Sequence, residues 1–155
     1  MTALTVRRAR RGDVAAIVAL IAADQLGASR EAPNDPAPYL AAFEAIDTDP
    51  NQYLAVAELD GELVGTLQLT FLPGLSHRGA WRAQIEAVRI AESRRGAGLG
   101  SALIAWALDS ARERGCRMVQ LTSNASRADA HRFYTRLGFT PSHVGFKLVL
   151  DAATG

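Results

Sequence analysis

Ile85-Glu-Ala-Val-Arg-Ile90, Ala91-Glu-Ser-Arg94 and Arg95-Gly-Ala-Gly-Leu-Gly-Ser101 decide how this chain is read. The first piece is short, apolar and partly β-branched, with charged side chains at Glu86 and Arg89, and predicts a strand. The last piece is a glycine-rich turn that opens a helix, because Leu99 to Ala111 is an almost unbroken run of helix formers. Gly96, Gly98 and Gly100 allow backbone torsions that other residues resist. They also remove side chains, so that a ligand can reach the peptide N–H groups. A helix N-terminus presents unpaired donors and partial positive charge, and Arg94 and Arg95 add two full charges at the same corner. The stretch therefore predicts a pocket for a phosphorylated ligand at a strand–loop–helix junction.

The size and composition around it are those of one globular domain, expected over residues 1–155. Of 155 residues, 48% are apolar and 21% charged, with a net charge of +1, so no overall field favours nucleic acid or membrane. Cys116 is the only cysteine and cannot form an internal disulfide, which fits a reducing compartment. No apolar run reaches the ~18 residues of a membrane span, and the N-terminus lacks a signal-peptide core. A soluble cytoplasmic protein is expected.

In chain order, Leu4 to Ala9 alternates as an edge strand, and Gly12-Asp13 starts a helix with Val14, Ile17, Val18 and Ile21 on one face. Ser29 to Pro38 is loop-like, followed by a helix from about Pro38 to Ile46. Tyr53 to Glu58 and Glu62 to Phe71 are strands joined by the hairpin signal Asp60-Gly61, with a bulge or close backbone approach expected at Gly65. Leu75 to Arg82 is a second loop. After the glycine turn come a helix ending at Gly115, a strand over Met118 to Ser123 and a helix from Ser126 to Leu137. That last helix has capping-box spacing at Ser126 and Asp129. Phe139 to Pro141 and Val144 to Leu150 read as closing strands, and Asp151 to Gly155 as a frayed tail. The expected fold is mixed α/β: one mixed sheet of about six or seven strands flanked by about four helices.

Three loop types use such a glycine junction, and spacing separates them. A phosphate-binding loop of the nucleoside-triphosphatase kind needs Lys then Ser or Thr after its last glycine, but Ser101 and Ala102 follow Gly100, and Lys147 is the chain's only lysine. A dinucleotide fingerprint needs its glycines directly after the strand and an acid about twenty residues on. Arg95-Gly-Ala-Gly98-Leu-Gly100 instead matches Arg/Gln-x-x-Gly-x-Gly/Ala, and resembles the coenzyme A pyrophosphate loop of the GCN5-related N-acetyltransferase (GNAT) superfamily. A second stretch, Ala130-His-Arg-Phe-Tyr134-Thr-Arg-Leu-Gly138-Phe139, looks like that family's other signature, A-x-x-F-Y-x-x-x-G-F. The resemblance covers roughly Leu4 to Leu150 and implies a splayed β-sheet, its two central strands parting to admit the coenzyme.

The resemblance implies an acyltransferase that uses acetyl-coenzyme A as co-substrate. Pantetheine would lie beside the backbone of Val88, Arg89 and Ile90, and the pyrophosphate on Arg95, Gly96, Ala97, Gly98, Leu99, Gly100 and Ser101. A backbone N–H near Val88 would stabilise the oxyanion formed as an amine attacks the thioester; such a donor is worth about 3 kcal/mol in other acyl-transfer sites. Tyr134 matches the family's general acid, although read alone it is a core aromatic with a bonded hydroxyl. Glu86 is the candidate base, where a partly desolvated carboxylate would have a raised pKa; read alone it is an exposed strand glutamate. Where many members carry an Asn before the tyrosine, this chain has Arg127, and Asn124 lies three residues earlier. His77, His131 and His143 form no metal-ligand spacing, so no metal is expected. Cys116 reads as a small buried thiol.

The acceptor, a small-molecule or peptide amine, is not readable. Arg78, Arg82 and Arg89 favour one with a carboxylate or phosphate beside its amine. Transfer of another acyl group, such as succinyl, and a coenzyme A-binding domain without turnover are the alternatives. Homodimerisation is a habit of the family that nothing in this sequence shows.

Overall fold

The hairpin at Asp60-Gly61 sets the centre of the sheet. Both residues have positive φ, 56° and 79°, the combination a tight hairpin of right-twisted strands needs. It joins β2 (Gln52–Leu59) to β3 (Glu62–Leu72). A computed structural model describes residues 3–150. It comprises two compact units that divide between Leu121 and Thr122.

The first unit is built on one open sheet in the order β1-β2-β3-β4-β5, with β1 (Thr5–Arg8), β4 (Arg82–Ile90) and β5 (Met118–Leu121) completing it. The first four strands are antiparallel, and β4 and β5 are parallel. Crossing from β4 to β5 takes α5 (Leu99–Glu113), because parallel neighbours need a long connection. The other helices are α1 (Val14–Ala22), α2 (Gln25–Arg30), α3 (Ala37–Asp47) and the single turn α4 (Ser76–Gly79).

Alternation along β2 places these helices on opposite faces. Leu54 and Val56 pack with Val14, Ile17 and Val18 of α1 and Phe43 of α3. Tyr53, pointing the other way, meets Trp106 of α5 with ring centroids 5.1 Å apart. α5 buries Leu103, Ile104, Ala107 and Ala111, a stripe at helical spacing. The helix closes at Gly115 (φ 78°) with Cys116 N–H donating to Ala111 O and Gly115 N–H to Arg112 O, the paired bonds of a glycine C-cap.

The second unit is α6 (Ala128–Arg136) and its flanks. Three expectations are corrected here. The sheet has five strands, where six or seven were expected, and six helices, where about four were expected, among the described residues. The two closing strands are absent: residues 139–150 take no strand conformation. Pro141 lacks a donor, Gly145 has no side chain to pack, and alternation alone does not hold a strand without a paired neighbour. The capping box also fails. Ser126 gives both its N–H and its hydroxyl to Asn124 Oδ1, so α6 starts at Arg127 without a side-chain cap. α2 runs two residues into the stretch expected to be a loop from Ser29; the expectation for the tail lies outside the described residues.

Arg7 fastens the start of the chain. Its guanidinium forks onto Asp13 at 2.8 and 3.0 Å and also meets Glu58 of β2. Asp13, at the start of α1, is held below the usual carboxylate value of 3.8 by the Arg7 hydrogen bond, against the opposing pull of burial. A carboxylate depressed in the folded state adds stability above its unfolded pKa and loses it as pH falls through the folded one. Asp13→Asn should therefore cost about 1 kcal/mol at pH 7, after allowing for solvent screening. The gap to wild type should shrink as pH falls below 3.8 and close once Asp13 is protonated in the folded chain too, as read by denaturant unfolding across a pH series.

Candidate active site

β4 runs nine residues, but only Arg82 to Ile85 pair with β5, ending at Ile85 opposite Leu121. From Glu86 to Ile90 that edge of β4 has no strand partner among the described residues. This is the divergence of the two central strands expected from the sequence, and it leaves backbone donors and acceptors along Val88, Arg89 and Ile90. The other edge is irregular too. Gln68 pairs with Glu86 and Thr66 with Arg89, so Ala87 and Val88 together oppose Leu67 alone. This is a bulge, and Ala87 carries its strain with φ 53°. Alanine is not a residue from which positive φ is expected, so nothing in the sequence signals it. Gly65, on β3 beside this point, does answer to its expected close approach: a Cβ there would lie 2.9 Å from Ile90 Cδ1 and 3.1 Å from Arg89 O.

Past β4, a short turn over Glu92–Arg94 leads into the glycine loop. Gly96 and Gly98 have φ 85° and 77°, and Gly98 forms the N-cap of α5. A Cβ added at either would meet nothing within 4 Å. These glycines serve the backbone conformation and leave open space above it. α5 makes its first bond from Ala102 N–H to Gly98 O, so the N–H groups of Leu99, Gly100 and Ser101 are spare donors at the positive end of the helix. Of the two arginines, Arg94 is taken by Glu62 at 2.8 Å, while Arg95 is exposed, with Nε 3.4 Å from Ile90 O. The cradle fits a pyrophosphate: open glycines, helix N–H groups and one cation in no ion pair among the described residues.

Glu86 stands immediately before the bulge. Its side chain is exposed and accepts a hydrogen bond from Gln84, so the desolvation expected of it is not what the structure shows. Arg89 is engaged inside the unit. It lies 3.0 Å from Asp24, the two side chains only 14% and 18% exposed, and Nη1 donates to Val88 O at 2.9 Å. Asp24 also caps α2 through Gly27 N–H, and Gly27 is pressed so closely on the Ile21 carbonyl that no Cβ fits. At the far end of α2, Glu31 and the Ala32 N–H both meet the Tyr39 hydroxyl of α3. Asp24 thus fixes α2 to the strand that carries the bulge, a role sequence reading missed because the pair is far apart in sequence. Of the other two arginines read as acceptor contacts, Arg82 donates to Gln120 and Arg78 is exposed.

In the second unit Tyr134 sits among aromatics, its ring centroid 5.2 Å from Phe133 and 5.8 Å from Phe139. Asn124 is an Asx-turn residue whose carbonyl faces His131 Nε2 at 2.9 Å. Among the described residues no group of three His, Cys, Asp or Glu is placed to hold a metal. Burial raises the Cys116 thiol, as suits an inert small side chain. No helix of the described residues is long and apolar enough to cross a membrane.

The family model described as the acetyltransferase (GNAT) family matches residues 17–139. The chain belongs to that family. It is 38% identical over 108 residues to the aminoalkylphosphonate N-acetyltransferase of Salmonella typhimurium, covering 70% of each chain. It is 38% identical over 79 residues to the glucosamine 6-phosphate N-acetyltransferase of Trypanosoma brucei, 51% of this chain and 52% of that one. Among solved structures, a transcriptional regulator from Bacillus halodurans superposes with a TM-score of 0.92 at 45% identity, over 96% of this chain and all of the other. As a GNAT acetyltransferase the protein is an acyltransferase, and its sheet is that of its relatives.

Two stability measurements check the bulge and the fastening of α2. Ala87→Val should cost about 2 kcal/mol, since a β-branched residue resists positive φ, whereas Ala87→Gly should stay within about 0.5 kcal/mol of wild type. Arg89→Ala, which strands a largely buried Asp24 carboxylate, should cost about 3 kcal/mol, and the double variant with Asp24→Ala should recover part of that in a double-mutant cycle.

Proposed function

We propose that this GNAT enzyme transfers the acetyl group of acetyl-coenzyme A to a primary amine by direct attack in a ternary complex, with the whole chain working as one transferase domain. The observation that supports this most is the left-handed glycine loop opening α5 directly beyond the unpaired edge of β4. Acetyl-coenzyme A supplies an acetyl group already activated as a thioester. The N–H groups from Gly96 to Ser101, with Arg95, bind its pyrophosphate, and the backbone of Val88, Arg89 and Ile90 aligns the pantetheine. The Val88 N–H donates to the developing oxyanion. Glu86, exposed at the bulge, takes the proton of the arriving ammonium directly or through water. Tyr134 gives a proton to the departing sulfur; this role rests on the A-x-x-F-Y-x-x-x-G-F signature around it.

The acceptor we infer is a small amine carrying a phosphoryl group. The names of two relatives, an aminoalkylphosphonate and a glucosamine 6-phosphate acetyltransferase, support it. A reducing cytoplasm remains the reading of the single cysteine.

The test is thiol release from acetyl-coenzyme A against a panel of amines. Aminoalkylphosphonates and amino sugar phosphates should be preferred over polyamines; a preference for polycations contradicts the acceptor reading. Tyr134→Phe should lower kcat about 100-fold with little change in the KM for acetyl-coenzyme A. Unchanged turnover removes Tyr134 as the acid. Binding without release of thiol by any amine points to a binding-only protein, and faster release from succinyl-coenzyme A to a different acyl donor.

A further inference from the structure

The left-handed turn at α4 carries the inference. His77 and Arg78 have φ/ψ of 54°/40° and 59°/43°, and Gly79 follows at φ 73°. Three left-handed residues in succession are unusual, and only the third is a glycine. The turn is closed by Gly79 N–H donating to Leu75 O and Ala80 N–H to Ser76 O, and Arg117 N–H ties the start of β5 to Trp81 O beside it. Glycine would hold His77 and Arg78 in this conformation at less strain. Histidine and arginine there are explained by what their side chains do.

Those side chains line an open pocket of about 400 Å³ together with Arg117, over Ala80 and Met118. Three basic residues and no acid line it, and none of the three enters an ion pair among the described residues. A second, larger pocket shows the contrast. It too is edged by arginines, but Glu44 and Asp47 face it, Arg7 is held by Asp13 and Glu58, and Arg8 lies over the Tyr53 ring. The pocket at α4 combines positive charge in no ion pair among the described residues, an apolar floor and a strained backbone.

Its position separates it from the glycine loop. It lies where β4 and β5 begin, while the glycine loop follows the end of β4. The run from Arg82 to the bulge at Ala87 is itself roughly 16 Å, too far for one small acceptor to have its amine at the bulge and its anion here.

We propose that His77, Arg78 and Arg117 form a second anion-binding site, which takes a phosphate group, free or on a small metabolite, independently of acetyl-coenzyme A. The test is amide-resolved NMR on the full chain, titrated in turn with inorganic phosphate and a sugar phosphate. Saturable shifts are expected at His77, Arg78, Arg117 and Met118, whatever happens at Gly96 to Ser101. A tighter response to the sugar phosphate assigns the site to a metabolite, and equal responses to the phosphoryl group alone. Arg78→Ala with Arg117→Ala should weaken this binding at least tenfold.

His77→Gly with Arg78→Gly should abolish binding while raising Tm by about 2–4 °C. A merely structural role for the two side chains predicts a fall in Tm. The proposal is overturned by shifts that do not saturate and match those in sodium chloride of equal ionic strength. It is also overturned if the double glycine variant loses stability. Neither result bears on the glycine loop, so this site fails or stands apart from the transferase reading.

Discussion

β4 keeps β5 for four residues and then leaves it, and the active region depends on that separation. A strand inside a sheet spends its N–H and C=O groups on both neighbours. From Glu86 onward β4 has, among the described residues, a strand neighbour on one side only, and on that side the Ala87 bulge breaks the register. The edge so released is continuous in sequence with the turn, the glycine loop and the first turn of α5. The open edge of the strand and the spare donors of a helix N-terminus therefore follow one another within a short stretch of chain, which suits a long ligand with an extended arm and a charged end.

Charge is distributed to match. Several arginines of the first unit are used up inside it: Arg7 on Asp13 and Glu58, Arg89 on Asp24, Arg94 on Glu62. What they hold is position: the start of α1, the seat of α2 on the bulged strand, and the turn before the glycine loop. Arg95 at the loop and Arg78 and Arg117 at the far end of β4 enter no ion pair among the described residues and are exposed. Counting arginines along the sequence does not separate these two groups; the pairings do.

The parts that were legible have local causes. Asp60-Gly61, Gly98 and Gly115 announce backbone conformations that few other residues adopt, and the apolar stripe of α5 follows from its spacing. The glycine loop was legible for the same reason. The bulge at Ala87, the left-handed pair His77 and Arg78, and the Asp24–Arg89 contact were not, because each is imposed by neighbours distant in sequence on residues with no preference for it. Residues 144–150 mislead in the opposite way. Their alternation is that of a strand, yet strand conformation requires a partner, and the described structure gives them none.

Calorimetric titration of acetyl-coenzyme A into the wild-type chain and Gly98→Val tests the central claim, that the glycine loop and the free edge of β4 form one coenzyme site. Wild type should bind one equivalent per chain, and Gly98→Val, which puts a branched side chain at φ 77° over the cradle, should weaken binding more than tenfold while the protein remains folded. No binding by wild type, or equal affinity in the folded variant, would contradict it.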